Sequence, residues 1–272
     1  MKIGKTIYGV DFSGARDAGK KIWITKGTEK NGVLCISDCL RGSDLPGSGM
    51  DRMRSLNALK EYIRSKPTGA FGLDFPFGLS RDLVKHKSLI EFLVAFPNEH
   101  KSPEKFRDWC LTSAGGREKR RRTEGQAKTP FSPYNLRIYK QTFYGISAVL
   151  SPLVHRDLAR ILPVQKPSSQ RPLLLEICPA STLKRLRLYG PKYKGPAPDH
   201  RNARAHILHH IVDKYPVRFE RPGISRAVVE DTGGDALDSV VAAIAVHRAL
   251  KREPKLSGED RKIFAIEGYV YF

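Results

Sequence analysis

The strongest constraint on the fold is a series of three short apolar segments at the start of the chain, followed by a helix and a fourth apolar segment. The first three read KTIYGVDFSG, KKIWITKG and GVLCISDCL, and Asn31-Gly32 between the second and third predicts a tight hairpin turn. In RMRSLNALKEYIRS, Leu56, Leu59 and Ile63 share one helical face. GAFGLDFPFGLS then predicts a fourth, buried strand. This order predicts an α/β fold that begins with three antiparallel strands.

The later part of the chain alternates strand and helix patterns. RPLLLEICPAS predicts another buried strand, ARAHILHHIVDKY and DALDSVVAAIAVHRAL predict two helices, and KIFAIEGYVYF is expected to close the chain as a strand. Antiparallel strands followed by alternating strands and helices predict one mixed sheet with helices on both faces. Residues 1–80 and 171–272 are assigned to this core.

Residues 81–170 are predicted to form a basic helical insertion within the same domain. Short helical pieces alternate there with polar loops, and GGREKRRRTEGQAKTP at 115–130 is expected to be exposed or mobile. NLRIYKQTFYGISAVL is expected to form a helix. Its inward side chains would be Leu136, Tyr139, Phe143, Ile146 and Leu150.

Net charge limits the partners that suit this chain. The 272 residues include 48 Lys+Arg against 28 Asp+Glu, a formal charge of +20. Such an excess favours a polyanionic partner, above all nucleic acid, DNA or RNA. Residues 101–172 hold 15 Lys+Arg and 5 Asp+Glu, so +10 of the charge is concentrated there. A generally basic proteome is the alternative explanation.

Composition also excludes several classes of protein. A chain that is 40% hydrophobic and 28% charged is typical of a globular domain. No run approaches the length of a membrane span, and MKIGKTIYGV lacks the pattern of a signal peptide, so no membrane association is expected. The four cysteines form neither a CxxC pair nor a zinc-like quartet, which is typical of thiols in a reducing cytoplasm. Nothing in the sequence specifies an oligomeric state.

Four aspartates occupy positions where a charge needs an explanation. Asp11 and Asp74 each follow an apolar run, where a charge is costly unless it is paired or reaches a cleft, although turn capping explains each one alone equally well. Asp235 and Asp238, at i and i+3, share one face at the start of a predicted helix. The helix dipole favours acids in a first turn, so Asp235 in particular has a structural alternative.

Together, these aspartates at the ends of two strands and one helix predict a shared cation site in a basic protein. Hard carboxylate oxygens suit Mg²⁺ or Mn²⁺. Two such ions can activate a water and stabilise the leaving oxygen in phosphodiester hydrolysis, without a protein nucleophile. The pattern therefore predicts a divalent-metal-dependent nuclease.

The chain resembles a known family through an ordered set of motifs: GVDFSGA, GLDFPFGLS, EICPAST, DALDSVVAAIAV and EGYVYF. They are similar to those of the predicted RNase H-like nuclease family in the domain-of-unknown-function series (DUF429), over nearly the whole chain. The acid layout is also similar to that of RuvC-type Holliday-junction resolvases. The resemblance implies an RNase H-like mixed sheet and a nuclease whose metal ligands are Asp11, Asp74, Asp235 and Asp238. Resolvases usually carry Glu on the fourth strand, where this chain has the shorter Asp74.

Glu176, at the end of another predicted strand, is a fifth candidate catalytic residue. It would be a metal ligand, a partner that orients a lysine or arginine, or half of a buried structural pair. Six cations are candidates for contact with nucleic acid: Arg120, Arg121, Arg122, Lys128, Arg137 and Lys140. A solvated surface is the alternative for the run of three arginines.

Two other functions are compatible with the sequence. A protein of this fold without catalysis would bind nucleic acid in a salt-dependent way that survives loss of the carboxylates. An ATP-dependent enzyme of the actin and sugar-kinase superfamily is the other alternative, since Asp11-Phe12-Ser13-Gly14 resembles the start of a phosphate loop. Those proteins duplicate their core, and 272 residues with one D-x-S-G leave no room for two complete halves.

Overall fold

The computed structural model describes residues 6–190, 192–252 and 254–272, and these form one mixed sheet of eight strands with helices around it. The strands are β1 (Thr6–Asp11), β2 (Trp23–Lys30), β3 (Val33–Arg41), β4 (Ala70–Leu73), β5 (Arg160–Ile161), β6 (Leu173–Ile177), β7 (Val217–Phe219) and β8 (Val270–Tyr271). Across the sheet their order is β5-β6-β4-β1-β2-β3-β7, and β8 pairs with β6 outside this path. The predicted α/β class is therefore confirmed.

Antiparallel and parallel pairings divide the sheet. β1 pairs antiparallel with β2, and β2 with β3, as predicted. Asn31 and Gly32 join β2 to β3 with positive φ angles of 51° and 83°, the left-handed geometry that Asn-Gly turns adopt. β4 lies parallel to β1, and β6 parallel to β4. The carboxyl ends of β1, β4 and β6 consequently lie side by side.

Helices cover both faces of the sheet. They are α1 (Ala18–Lys21), α2 (Arg52–Arg64), α3 (Leu89–Glu99), α4 (Pro103–Ser113), α5 (Arg122–Ala127), α6 (Tyr139–Tyr144), α7 (Ser151–His155), α8 (Pro179–Arg185), α9 (Pro198–Lys214), α10 (Pro222–Glu230), α11 (Asp235–Lys251) and α12 (Gly258–Glu267). One apolar cluster joins α2, α3, α4, α6 and α7 to the sheet. A second cluster joins α8, α9, α10 and α11 to the sheet. None of the described helices is long and apolar enough to cross a membrane.

α11 is buried on all sides, which explains its alanine-rich sequence. Residues 236–247 are all buried, and the helix packs against β1, β2 and β4. Gly9 of β1 permits this close approach, because a Cβ at this position would lie 2.1 Å from the carbonyl oxygen of Ser239 and 2.2 Å from the nitrogen of Ala243. The helix is thereby held directly over the strand that ends in Asp11.

Gly9→Ala is expected to lower the free energy of unfolding by about 1–3 kcal/mol, because the added methyl group overlaps backbone atoms that cannot move independently. Urea denaturation measures the change. Gly223→Ala is the control, since a Cβ there would meet no atom within 4 Å. Equal stability of the two variants would contradict the close packing of α11 on β1.

The segment 81–170 differs from the prediction in four respects. It is mostly helical, but it also contributes β5, which pairs with β6. The helix expected from Leu136 begins only at Tyr139, and Leu136 itself is 67% exposed. A π-helical turn, Gly145–Leu150, connects α6 to α7. The expectation that 115–130 is an exposed run is also wrong in part, because Arg121 and Glu124 lie in the core.

The C-terminal prediction is corrected as well. Most of KIFAIEGYVYF is helical, and only Val270–Tyr271 forms a strand. Ser257 caps α12 by accepting a hydrogen bond from the backbone N–H of Asp260 at 3.0 Å. Gly268, with φ of 82°, follows the helix, and β8 then pairs with β6.

Candidate functional site

Three of the predicted acids lie at one edge of the sheet. Asp11 is the last residue of β1, Asp74 directly follows β4, and Glu176 lies near the end of β6. The strand register aligns them, since Leu73 is paired with Val10 on one side and with Glu176 on the other. The carboxyl ends of neighbouring parallel strands thus bring together residues that are up to 165 positions apart in the chain.

The amino end of α11 brings the other two aspartates to the same edge. Gly234, with φ of 73°, turns the chain into the helix. The side chain of Asp231 accepts a hydrogen bond from the backbone N–H of Ala236 at 3.0 Å. This contact caps the helix. The carboxylates of Asp235 and Asp238 do not serve as caps and instead contact side chains from another segment.

Those partners are Lys194 and Tyr193, which the sequence analysis did not single out. The Lys194 Nζ lies 2.7 Å from Asp238 Oδ2 and 3.3 Å from Asp235 Oδ1. The Tyr193 hydroxyl donates a hydrogen bond to Asp238 Oδ1 at 2.8 Å. Both oxygens of the buried Asp238 are therefore engaged. The only local signal was the alternation of lysine and tyrosine in KYKGPAPD, immediately before α9.

The carboxylates repel one another. Burial raises the pKa of Asp11 well above its ordinary value, even though the charge of Lys194 opposes the shift. Burial and then the charge of Asp238 raise the pKa of Asp74 in the same way. Desolvation lowers the pKa of Lys194, but the charges of Asp238 and Asp11 outweigh it, so the pKa lies above its ordinary value. One ammonium group does not balance four ionised carboxylates, so Asp11 and Asp74 hold a proton more readily than ordinary aspartates do.

Glu176 belongs to a separate, buried ion-pair network. The Arg121 guanidinium donates to both carboxylate oxygens of Glu176, at 2.9 Å for the Nη1–Oε2 bond, and its Nε donates to Glu124 at 2.9 Å. The backbone N–H of Phe77 donates to Glu176 at 3.0 Å, and the carbonyl of Glu267 accepts from Arg121 at 3.0 Å. These contacts fit two of the alternatives for Glu176, a partner that orients an arginine and half of a buried structural pair.

Three arginines proposed as phosphate contacts already have partners within the protein. Arg121 is corrected from a surface residue to a core residue, because it is 2% exposed and paired with carboxylates. Arg122 pairs with Glu259 at 2.8 Å and Asp260 at 2.9 Å. Arg120 donates to two backbone carbonyl oxygens at 2.7 and 2.9 Å.

The other three cations are exposed. The Nζ of Lys140 lies 3.3 Å from Oε1 of Glu104, and this carboxylate partly neutralises the charge of the lysine. Lys128 and Arg137 form no ion pair with a carboxylate of the described residues. The Arg137 guanidinium lies over the ring of Phe131, 5.4 Å from its centroid. Arg137 is therefore the predicted cation best placed to contact a ligand together with a ring.

A cleft of about 770 Å³ opens between the carboxylates and the insertion. Asp74 and Asp238 line it, whereas Asp11 and Asp235 lie outside its lining. Gln141 of α6 also lines it and donates a hydrogen bond to the carbonyl oxygen of Asp74, so the insertion contacts the carboxylate edge directly. The sequence placed Gln141 on a helix but gave no reason to select it.

The chemistry of these carboxylates suits a hard divalent ion. All four aspartate side chains offer carboxylate oxygens, the type of ligand that Mg²⁺ and Mn²⁺ prefer. Within the described ranges, no three His, Cys, Asp or Glu side chains are arranged so that they could hold a metal ion together. The ammonium group of Lys194 instead lies against two of the aspartates.

Comparison of the chain with models of protein families, with curated proteins and with solved structures finds no match. The features that bear on function are consequently the carboxylates, the lysine among them and the adjoining cleft.

Proposed function

We propose that the protein is a divalent-metal-dependent nuclease of RNase H-like fold, which hydrolyses phosphodiester bonds of DNA or RNA. The observation that supports this most strongly is the convergence of Asp11, Asp74, Asp235 and Asp238 beside a cleft in a chain of charge +20. Gathering buried like charges costs folding free energy, and such clusters are concentrated at functional sites.

Each aspartate has a distinct part in this proposal. Asp74 and Asp238, which line the cleft, would bind Mg²⁺ or Mn²⁺ on the side that faces substrate. Asp11 and Asp235 would complete the set of carboxylate ligands. When bound, such an ion activates the attacking water and stabilises the leaving oxygen. The sheet edge and the buried α11 hold the carboxylates in place, which reduces reorganisation during the reaction.

The cleft favours an unpaired strand as the substrate. Four aromatic side chains line it, and two of them have a cation over the face of the ring: Arg137 over Phe131 at 5.4 Å, and Lys184 over Tyr189 at 4.9 Å. Tyr189 is 49% exposed, so its ring is accessible for stacking. Aromatic rings stack on unpaired bases and nearby cations contact phosphates. A volume of about 770 Å³ is in the range of small-ligand pockets, which suits a few unpaired nucleotides.

Replacing both rings, in a Phe131→Ala/Tyr189→Ala variant, is expected to weaken binding of a single-stranded oligonucleotide. Stacking contributes about 1–3 kcal/mol per base, so the loss should be at least about tenfold. Fluorescence anisotropy in EDTA measures it without cleavage. Leu136→Ala is the control, because Leu136 is exposed close to Phe131 in sequence but does not line the cleft. Equal affinities for all three proteins would contradict the stacking role.

The function itself is tested on a panel of labelled single- and double-stranded DNA and RNA, incubated with Mg²⁺, Mn²⁺ or EDTA. We expect cleavage with either metal and none with EDTA. Salt-dependent binding without cleavage under any condition would support the non-catalytic alternative, which the contacts of Lys194 with Asp235 and Asp238 favour as the second candidate. Tight ATP binding in calorimetry would support the kinase-like alternative instead.

A further inference from the structure

Lys194 is placed where a cation bound to the D-x-x-D pair would be. Its Nζ bridges Asp238 Oδ2 at 2.7 Å and Asp235 Oδ1 at 3.3 Å. A Mg²⁺ ion lies about 2.0–2.1 Å from its ligand oxygens. An ion on the same two oxygens would therefore be within contact distance of the ammonium group, and two positive charges so close together repel each other strongly. The contacts of Lys194 and a metal on Asp235 and Asp238 are mutually exclusive.

The backbone that carries Lys194 is firmly anchored. Arg204, which is 1% exposed, donates to the carbonyl oxygens of Tyr193 at 2.6 Å and of Gly195 at 3.0 Å. The N–H of Gly195 donates to the carbonyl of Thr232 at 2.8 Å. The segment 193–195 is thus tied both to α9 and to the loop that precedes α11. Burying the charge of an arginine costs folding free energy. The hydrogen bonds of Arg204 to the main chain hold Lys194 beside the carboxylates.

The turn into α11 also accommodates this segment. At Gly234 a Cβ would lie 2.9 Å from the ring of Tyr193 and 3.1 Å from Cγ of Lys194. Glycine is required there both by its φ of 73° and by this close approach. The side chain of Lys194 nevertheless remains 51% exposed. It can therefore leave Asp238 by side-chain rotation, while the backbone stays in place.

We propose that Lys194 is an internal counter-ion that competes with the divalent metal and, once displaced, contacts the substrate phosphate in the cleft. Its charge stabilises the carboxylate cluster before the metal binds. Because Lys194 lines the same cleft as Asp74 and Asp238, a phosphate in that cleft is an anion within its reach. This inference depends on the proposed function, since it assumes that the aspartates bind a divalent ion.

Two effects of opposite sign follow for Lys194→Met. Removing the competing ammonium group should tighten Mn²⁺ binding by about tenfold, a coupling of ordinary size between two mutually exclusive ligands. Removing a phosphate contact should at the same time weaken binding of a non-cleavable single-stranded oligonucleotide at saturating Mn²⁺ and low salt, the state in which Lys194 is displaced. A lysine with only a structural role would not produce this opposition.

Isothermal titration of Mn²⁺ into the 272-residue protein at pH 8 and anisotropy with the oligonucleotide measure the two affinities. For the Mn²⁺ titration, Lys192→Met is the matched control, because it removes the same charge two positions away, and Lys192 forms no ion pair within the described residues. Its Mn²⁺ affinity should equal that of the wild type. Lys192 also lines the cleft, so the oligonucleotide measurement uses Lys194→Arg, which keeps the charge, as its control. Lys194→Arg should bind Mn²⁺ no more tightly than the wild type. Thermal unfolding monitored by circular dichroism verifies that each variant is folded.

The outcomes separate this inference from the proposed function. Measurable and equal Mn²⁺ binding by the wild type and Lys194→Met would overturn the role of Lys194 and leave the metal site intact. Failure of both proteins to bind Mn²⁺ would overturn the proposed metal site and the inference together. If Lys194→Met is unfolded, Lys194→Gln provides the same comparison with a side chain that can still donate to Asp238.

Discussion

Asp238→Asn is expected to lower the rate of Mg²⁺- or Mn²⁺-dependent cleavage by at least about 100-fold, the magnitude typical of removing one electrostatic group from an active site. Asp238 is the most connected of the four aspartates. It contacts Lys194 and Tyr193, it lines the cleft, and its charge raises the pKa values of both Asp11 and Asp74. Asparagine keeps the size and can still accept from Tyr193, but it lacks the charge that a divalent ion requires.

Single-turnover cleavage of a labelled oligonucleotide measures the effect. Asp199→Asn serves as the control, because Asp199 is an exposed acid in the first turn of α9 and is remote in sequence from the four aspartates. Urea denaturation verifies that Asp238→Asn is folded, since the substitution removes both a carboxylate that repels its neighbours and the ion pair with Lys194. Wild-type cleavage by a folded Asp238→Asn protein would exclude the proposed site, whatever the substrate.

Arg121→Leu is expected to lower the free energy of unfolding by about 3–5 kcal/mol, the usual cost of removing one partner of a buried ion pair. The substitution would leave Glu124 and Glu176 buried without their counter-charge. Both acids are almost fully buried, at 1% and 3% exposure. Desolvation lowers the pKa of Arg121, but the charges of Glu176 and Glu124 outweigh it and raise the pKa, as expected for an arginine that balances two acids.

Urea denaturation of Arg121→Leu, alone and combined with Glu124→Gln and Glu176→Gln, measures this network. Neutralising the two acids should restore part of the lost stability, because no uncompensated charge then remains in the core. An Arg121→Leu protein as stable as the wild type would show that the ion pairs do not stabilise the fold. Cleavage by Glu176→Gln tests the separate prediction that Glu176 is catalytic.

The sequence predicts those features that depend on neighbouring residues. The Asn31-Gly32 turn and the positions of Asp11 and Asp74 at strand ends follow from local pattern, and the structure agrees with them. The sharing of one helix face by Asp235 and Asp238 likewise follows from their spacing. Parallel strands then bring their carboxyl ends to one edge, so the gathering of the aspartates was also accessible from sequence.

Features that depend on distant partners were not accessible. Arg120, Arg121 and Arg122 look alike in sequence, yet only Arg121 is buried. Its partner Glu176 lies 55 positions further along the chain, so no local pattern reveals the pair. Lys194 is similarly one of many lysines until the fold places it beside Asp238, 44 positions further along the chain. No pattern of neighbouring residues distinguishes these side chains from ordinary surface charges.

The contact between α6 and the sheet edge has an evolutionary consequence. A Cβ at Gly14 would lie 2.6 Å from the carbonyl oxygen of Lys140, and Gln141 binds the main chain of Asp74, so the insertion forms a second wall against the carboxylates. Phe131 and Arg137 belong to this wall, whereas Asp11 and Asp238 belong to the core. Mutations at Phe131 or Arg137 can therefore change which ligand is bound, while the carboxylates stay on the sheet and α11. Selectivity and reactivity in such an architecture can diversify at separate rates.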